Sequence, residues 1–265
     1  MSGRDLAIAA EEAVYVYCFA DDVRVPLDDL PAIDERRSLR VHRHASLAAV
    51  ISLVTRNAFE GESGETHLSD LAWIAPRVLR QEAILRRIMA AEPVLPLPFG
   101  TLFSSLQALE QAMDSRRAII KAVLRRIDGC QEWAVQGALD RRRAVDARIA
   151  AAIAEGSYSP AASTGRRHLE EQRLRRELDR SLDSWISSLS TPLREALEQV
   201  SRDAVARRVI AGQDQVFNWA FLVPVAGLHQ FQERVDAAAR AHAELGLHLT
   251  CKGPLPPYSF CSEAA

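Results

Sequence analysis

Three prolines within six residues place the tightest restriction on what this chain can fold into. The stretch PVLPLPFG, Pro93–Gly100, interleaves Pro93, Pro96 and Pro98 with Val94, Leu95, Leu97 and Phe99. Each ring fixes φ and removes an N–H donor, so the segment cannot be helical. It is extended, apolar and poor in donors, which predicts a buried strand that ends a ladder at a bulge, an edge or another chain. Gly100 closes it with a turn.

The surrounding chain is long enough to bury more than one core. Its 265 residues, 48% of them hydrophobic, favour two modest cores over one large one. Its 33 basic and 35 acidic residues give a net charge of −2, so no field of one sign advertises a nucleic-acid partner. No apolar run approaches the ~20 residues that span a bilayer. The opening MSGRDLAIAAEEA lacks the apolar segment of a signal peptide. The expectation is a cytoplasmic protein without a lipid-membrane partner. Cys18, Cys130, Cys251 and Cys261 form no Cys-x-x-Cys pair, which argues for reduced thiols rather than a zinc knuckle or a disulfide scaffold.

Taken in order, Ala13–Phe19 is apolar on both faces and reads as an internal strand. An acidic, proline-bearing loop follows, then a half-exposed strand around Leu39–His44 and an apolar strand at Leu47–Val54. A glycine-bearing loop is expected around Gly61 and Gly64. Ser69 is placed as the cap of a helical turn, with Pro76 at the first position of the helix proper. That helix carries the stripe Val78, Leu79, Glu82, Leu85, Ile88 and Met89. After the proline strand, Ser104 and Gln107 read as a capping box. Leu106, Leu109, Met113, Ile120, Val123, Leu124 and Ile127 form the buried face of the next helix, which Gly129 stops. The result is an α+β unit closed near residue 128.

The second unit opens with a strand at Gln131–Gln136 and a helix marked by Val145, Ile149 and Ile153. Residues Gly156–Gly165 read as a flexible excursion. Leu174, Leu178, Leu182, Trp185 and Leu189 define one long amphipathic helix that Pro192 breaks, and a further helix from Leu193 reaches Val205. A strand at Arg207–Ala211 is expected to pair with Val216–Val223 across Gly212–Gln215. A helix follows with Leu228, Phe231, Val235 and Ala239, then a strand with Leu247, Leu249 and Cys251. Strand, helices, strand, strand, helix, strand is the split βαβ plan of ferredoxin-like domains. The tail GPLPPYSF, Gly253–Phe260, is held extended by Pro254, Pro256 and Pro257. The fold class is therefore α+β in two domains. Residues 1–128 form an N-terminal α/β unit, and residues 129–265 a ferredoxin-like unit with a long helical insertion and an extended tail.

Chemistry-bearing patterns are sparse. His42 and His44 share a strand face but lack a completing ligand, so no metal is expected. No Gly-x-Ser-x-Gly, Walker loop or Gly-x-Gly-x-x-Gly occurs, so no catalytic residue and no cofactor is assigned. Glu82 on an apolar stripe needs a partner or a solvent path, and a rim position is the plainer reading. The runs Arg141–Arg143 and Arg173–Arg176 read as solvated helix faces.

Four segments in order, YVYCFA, PVLPLPFGTLF, GCQEWAVQGAL and FLVP with a terminal GPLPPYSF, together resemble the GvpF/GvpL family of gas vesicle proteins. Where that family commonly carries His, Arg and Trp, this chain has Gln81, Pro98 and Leu255. The resemblance implies an N-terminal α/β domain followed by a ferredoxin-like domain. It also implies a non-enzymatic role in forming the gas-filled shell, in contact with the small hydrophobic shell protein and with other vesicle accessory proteins. Large apolar patches on an unassembled shell subunit require a partner to stay soluble. The expected contact elements are the proline-interrupted edge, with Pro96, Phe99 and Gly100, and the tail, with Pro256, Pro257, Tyr258 and Phe260. The alternative is a small-molecule-binding enzyme or regulatory module built on the ferredoxin-like unit, with Glu82 or a histidine as acid or base.

Overall fold

The structure, a computed structural model, describes residues 8–160, 163–209 and 214–261. The chain divides into two compact units, one made of Met1–Gly129 with Pro256–Ala265 and the other of Cys130–Leu255. The tail from Pro256 therefore groups with the first unit, not with the second as its place in the sequence suggests.

The first unit is built on β1 (Glu12–Ala20), β2 (Arg40–His44), β3 (Leu47–Thr55), β4 (Leu95–Pro96) and β5 (Leu102–Phe103). The strands are antiparallel in the order β2-β3-β1-β4, with β5 also on β1. Every residue from Ala13 to Ala20 is buried, as a strand apolar on both faces requires. The expected proline strand is present but short. Only Leu95 and Pro96 pair, with Phe19 and Cys18, before the Leu97 N–H donates to the Tyr17 carbonyl at 3.0 Å. Prolines on both sides supply no donors to lengthen that ladder.

Three helices complete this unit: α1 (Gly61–Ser69), α2 (Leu71–Met89) and α3 (Leu106–Ile127). The glycine-bearing segment expected to be a loop is α1. Gly61 takes a φ of +69° where the chain enters the helix, and a Cβ on Gly64 would lie 2.3 Å from the Phe59 carbonyl carbon. Its glycines thus serve a turn and a close approach rather than a loop. The cap of α2 is Asp70, which accepts from the Ala72 N–H at 2.9 Å, while the Ser69 hydroxyl donates back to the Glu65 carbonyl in α1. Pro76 consequently stands inside α2 rather than at its start. The bond it removes falls on Ala72, which is exposed, so water can satisfy that carbonyl. In α3 the cap is Ser105, accepting from the Ala108 N–H, one residue beyond the expected capping box. Its buried face is Leu109, Met113, Ile120, Val123, Leu124 and Ile127, as the stripe predicts, while Leu106, expected with them in the first turn, is only half-buried.

The second unit runs β6 (Cys130–Leu139), α4 (Arg141–Ala154), α5 (Thr164–Arg180), α6 (Leu182–Glu198), β7 (Asp203–Ala206), β8 (Gln215–Pro224), α7 (Leu228–Ala243) and β9 (Leu247–Leu255). Its antiparallel sheet has the order β7-β8-β6-β9. Trp133, Val135, Phe217, Trp219 and Phe221 face a core closed by Leu182, Leu197 and Phe231.

Three expectations fail here for identifiable reasons. The single long helix is two, α5 and α6, divided at Ser181. There the Ser181 hydroxyl and the Arg148 guanidinium both donate to the Leu178 carbonyl, and Arg148 also reaches Ser181 Oγ at 2.9 Å. Side-chain donors take over a carbonyl that would otherwise continue the ladder. Pro192 does not break α6, because the carbonyl it leaves open belongs to exposed Ser188. The strand expected at Arg207–Ala211 lies earlier, at Asp203–Ala206. Backbone bonds from Arg202 to Leu222 and from Arg207 to Asn218, each 2.7 Å, fix its register. Residues 210–213 of the expected strand and turn lie outside the described residues, as do 161–162 of the expected excursion.

Candidate functional site

The two expected contact elements meet around one amide. Gln81 is 3% exposed, on the buried face of α2 beside Ile84, Leu85 and Ile88. A buried primary amide carries two donors and an acceptor that must be matched. Here its Nε2 donates to the Leu97 carbonyl at 3.1 Å and to the Tyr258 hydroxyl at 2.7 Å, while its Oε1 accepts from the Tyr15 hydroxyl. Tyr15 in turn accepts from the Gly100 N–H at 3.1 Å. The strand β1, the proline segment and the turn at Tyr258–Phe260 are thereby joined through one side chain.

An aromatic cluster surrounds this junction. The Tyr15 ring lies 4.9 Å from Tyr17, 5.6 Å from Phe59 and 6.1 Å from Phe99, and Phe59 meets Trp73 edge-on at 5.2 Å. Tyr17 bridges the Ser52 hydroxyl and the Ile33 N–H. Burial drives the phenols away from ionisation: Tyr17 is pushed up to about 12, and Tyr15 and Tyr258 are also raised. These hydroxyls act as neutral hydrogen-bonding groups, not as acids or bases near neutrality.

Among the expected contact residues, Pro96, Pro256, Pro257 and Phe260 are buried. Phe99 and Gly100 are half-buried, and Tyr258 is 38% exposed with its hydroxyl turned inward to Gln81. The rim left open to a partner is Pro98, the outer part of Phe99 and the Tyr258 ring. Gln81 itself escapes a pattern reading, because an amide adds nothing to an apolar stripe and its Tyr258 partner is 177 residues away.

The other candidates resolve into ordinary surface pairs. Glu82, one residue from Gln81 and 100° round the helix, is half-exposed and accepts from Arg86 at 2.6 Å. His42 Nε2 is 3.0 Å from a Glu110 oxygen and His44 Nε2 is 3.0 Å from an Asp114 oxygen, so each imidazole of β2 is matched to a carboxylate of α3. Among the described residues no group of three such side chains gathers where it could hold a metal ion. In the arginine runs, Arg141 pairs with Asp179, Arg143 with Glu244, and Arg175 with both Asp146 and Glu171. No helix among the described residues is long and apolar enough to cross a membrane.

Known proteins are similar to this chain over nearly its full length. The chain is 28% identical over 232 residues to Gas vesicle protein L of Streptomyces sp. (strain CB03234), covering 85% of this chain and 84% of that protein. The crystal structure of the gas vesicle protein GvpF from Anabaena sp. PCC7120 superposes with a TM-score of 0.70 at 15% identity, covering 94% of this chain and 96% of that one. GvpF from Microcystis aeruginosa gives a TM-score of 0.67 at 15% identity, with 94% and 98% covered. These likenesses carry the fold: mixed helix and sheet with two antiparallel sheets. The family described as Gas vesicle synthesis protein GvpL/GvpF matches residues 13–262, and the chain belongs to that family.

Proposed function

We propose that this protein is a non-enzymatic gas vesicle assembly factor or minor vesicle component that binds the small hydrophobic shell protein and supports growth of the gas-filled shell. The observation that carries the reading is the family match over residues 13–262. The contact rim is the one formed by Pro98, Phe99, Gly100 and Tyr258, with Pro96, Pro256, Pro257 and Phe260 shaping it from below. The two compact units serve as two domains. The second is ferredoxin-like, with α5 and α6 as its insertion, a reading supported by the strand order β7-β8-β6-β9. The protein works in the cytoplasm, at the growing vesicle.

The test pairs gene deletion with co-purification. Deletion is expected to reduce vesicle number or alter vesicle shape, and tagged protein is expected to retain the shell protein. Normal vesicles in the deletion strain would overturn the reading.

A further inference from the structure

We propose that the cleft between α4 and α5 is a binding site for the phosphate chain of a small polyphosphate, free or carried by a nucleotide. Charge is concentrated on these two helices. Helix α4 has four arginines and one acid, and α5 six arginines and four acids, in a chain whose net charge is −2. The two arginine runs are far apart in sequence, and the second unit brings them together. Arg141, Arg142, Arg175 and Arg176 line one cleft of about 270 Å³, with Val145 and Asp179 completing the lining. That volume is below the ~300–1,000 Å³ that encloses a drug-sized molecule, so a compact charged group suits it better.

The four guanidiniums differ in how far they are already matched. Arg175 is fixed by Asp146 at 2.5 Å and by Glu171 at 2.9 Å, neither of which lines the cleft. Arg141 meets Asp179 at 3.5 Å, a loose pair. A charge-assisted hydrogen bond is shorter, about 2.7–2.9 Å. Arg176 donates from Nε to the Gln172 carbonyl at 3.2 Å, which leaves its terminal nitrogens for another acceptor. Arg142 and Arg176 are exposed, and among the described residues no carboxylate lies within 4.0 Å of either. Four guanidiniums set against Asp146, Glu171 and Asp179 thus leave the positive surplus on Arg142 and Arg176, one from each helix. A guanidinium fork pairs bidentately with phosphate or carboxylate, but a single exposed carboxylate gains little from such a pair. Linked phosphates carry several charges and can engage both helices together.

The proposal stands apart from vesicle assembly, and either can fail without the other. Its test titrates the full-length protein by calorimetry with sodium triphosphate and, separately, with ATP, in metal-free buffer at about 0.15 M salt. Both are expected to bind with a Kd below about 1 mM and within about tenfold of each other, because the phosphates make the contacts and the base does not. Arg142→Gln combined with Arg176→Gln is expected to weaken both at least about tenfold, and Arg142→Lys with Arg176→Lys less, because Lys keeps the charge and loses the fork. Arg24→Gln, at an exposed position in the first unit, is expected to change neither. All variants are expected to melt at the parent temperature, as exposed substitutions do, which separates lost binding from lost folding. Binding retained by the double Gln variant, an equal loss in Arg24→Gln, or no heat with either anion up to about 1 mM would overturn the proposal. So would a preference for ATP beyond about tenfold, which would place recognition on the base.

Discussion

Helices α2 and α3 both pack on β1, yet they contribute to the first unit in opposite ways. Helix α3 buries six apolar side chains and no polar one, and what it does is packing. Helix α2 buries three apolar side chains and the Gln81 amide, keeps leucines in water, and uses that amide to join segments far apart in the chain. The difference teaches that an apolar stripe locates a helix without deciding which face turns inward. On α3 the two coincide. On α2 the inward face is chosen by what the neighbours offer to a polar group.

The comparison is open to attack at four points. The largest effect is expected from Leu109→Ala in α3, a fully buried site where the transfer and cavity terms add to about 2–5 kcal/mol in denaturant unfolding. Gln81→Ala should cost about 2–3 kcal/mol by the same measurement, because the Tyr15 hydroxyl and the Leu97 carbonyl lose their partner inside the core. In a double-mutant cycle with Tyr258→Phe, coupling of at least ~0.5 kcal/mol would show that the amide acts through the tail. A loss as small as that at a surface site would dissolve the contrast between the helices.

Alkaline titration gives a third, intermediate effect. Burial raises Cys18 from its usual 9.0 to about 12, so the unfolded chain releases this proton first. Its contribution is full below pH 9 and is lost as pH rises toward 12. Stability should therefore fall across that window, and Cys18→Ala should flatten the slope. The smallest effect belongs to the outer face of α2: Leu79→Ala and Glu82→Gln should each leave stability within about 0.5 kcal/mol. A larger loss at Leu79 would mean that its face is already covered within the chain.

Much of the scaffold is legible in the residues. Strands β1, β3, β6 and β8 declare themselves by burial on both faces or by alternation, and α3 and α7 by stripes that match their buried sides. The errors cluster where a residue type has two physical uses. Pro76 and Pro192 suggest a helix start and a helix end, yet each lies within a helix where the orphaned carbonyl reaches water. Gly61 and Gly64 suggest a loop, and serve a helix entrance and a tight approach to Phe59. The site was half legible. Its proline and aromatic members stand out in the sequence, whereas Gln81, which holds them together, does so through long-range bonds that leave no local trace.

The Gln81–Tyr258 bond also has a consequence for synthesis. The first 129 residues leave the ribosome and can collapse while Cys130–Leu255 is still being translated, an interval on the order of ten seconds. During that time the Gln81 amide lacks the Tyr258 hydroxyl that it donates to in the finished chain. Translation must pass through the whole second unit before the first is finished. A stop codon just after Leu255 would therefore leave its deepest mark not on the nearby sheet of β6 to β9 but on the unit made first.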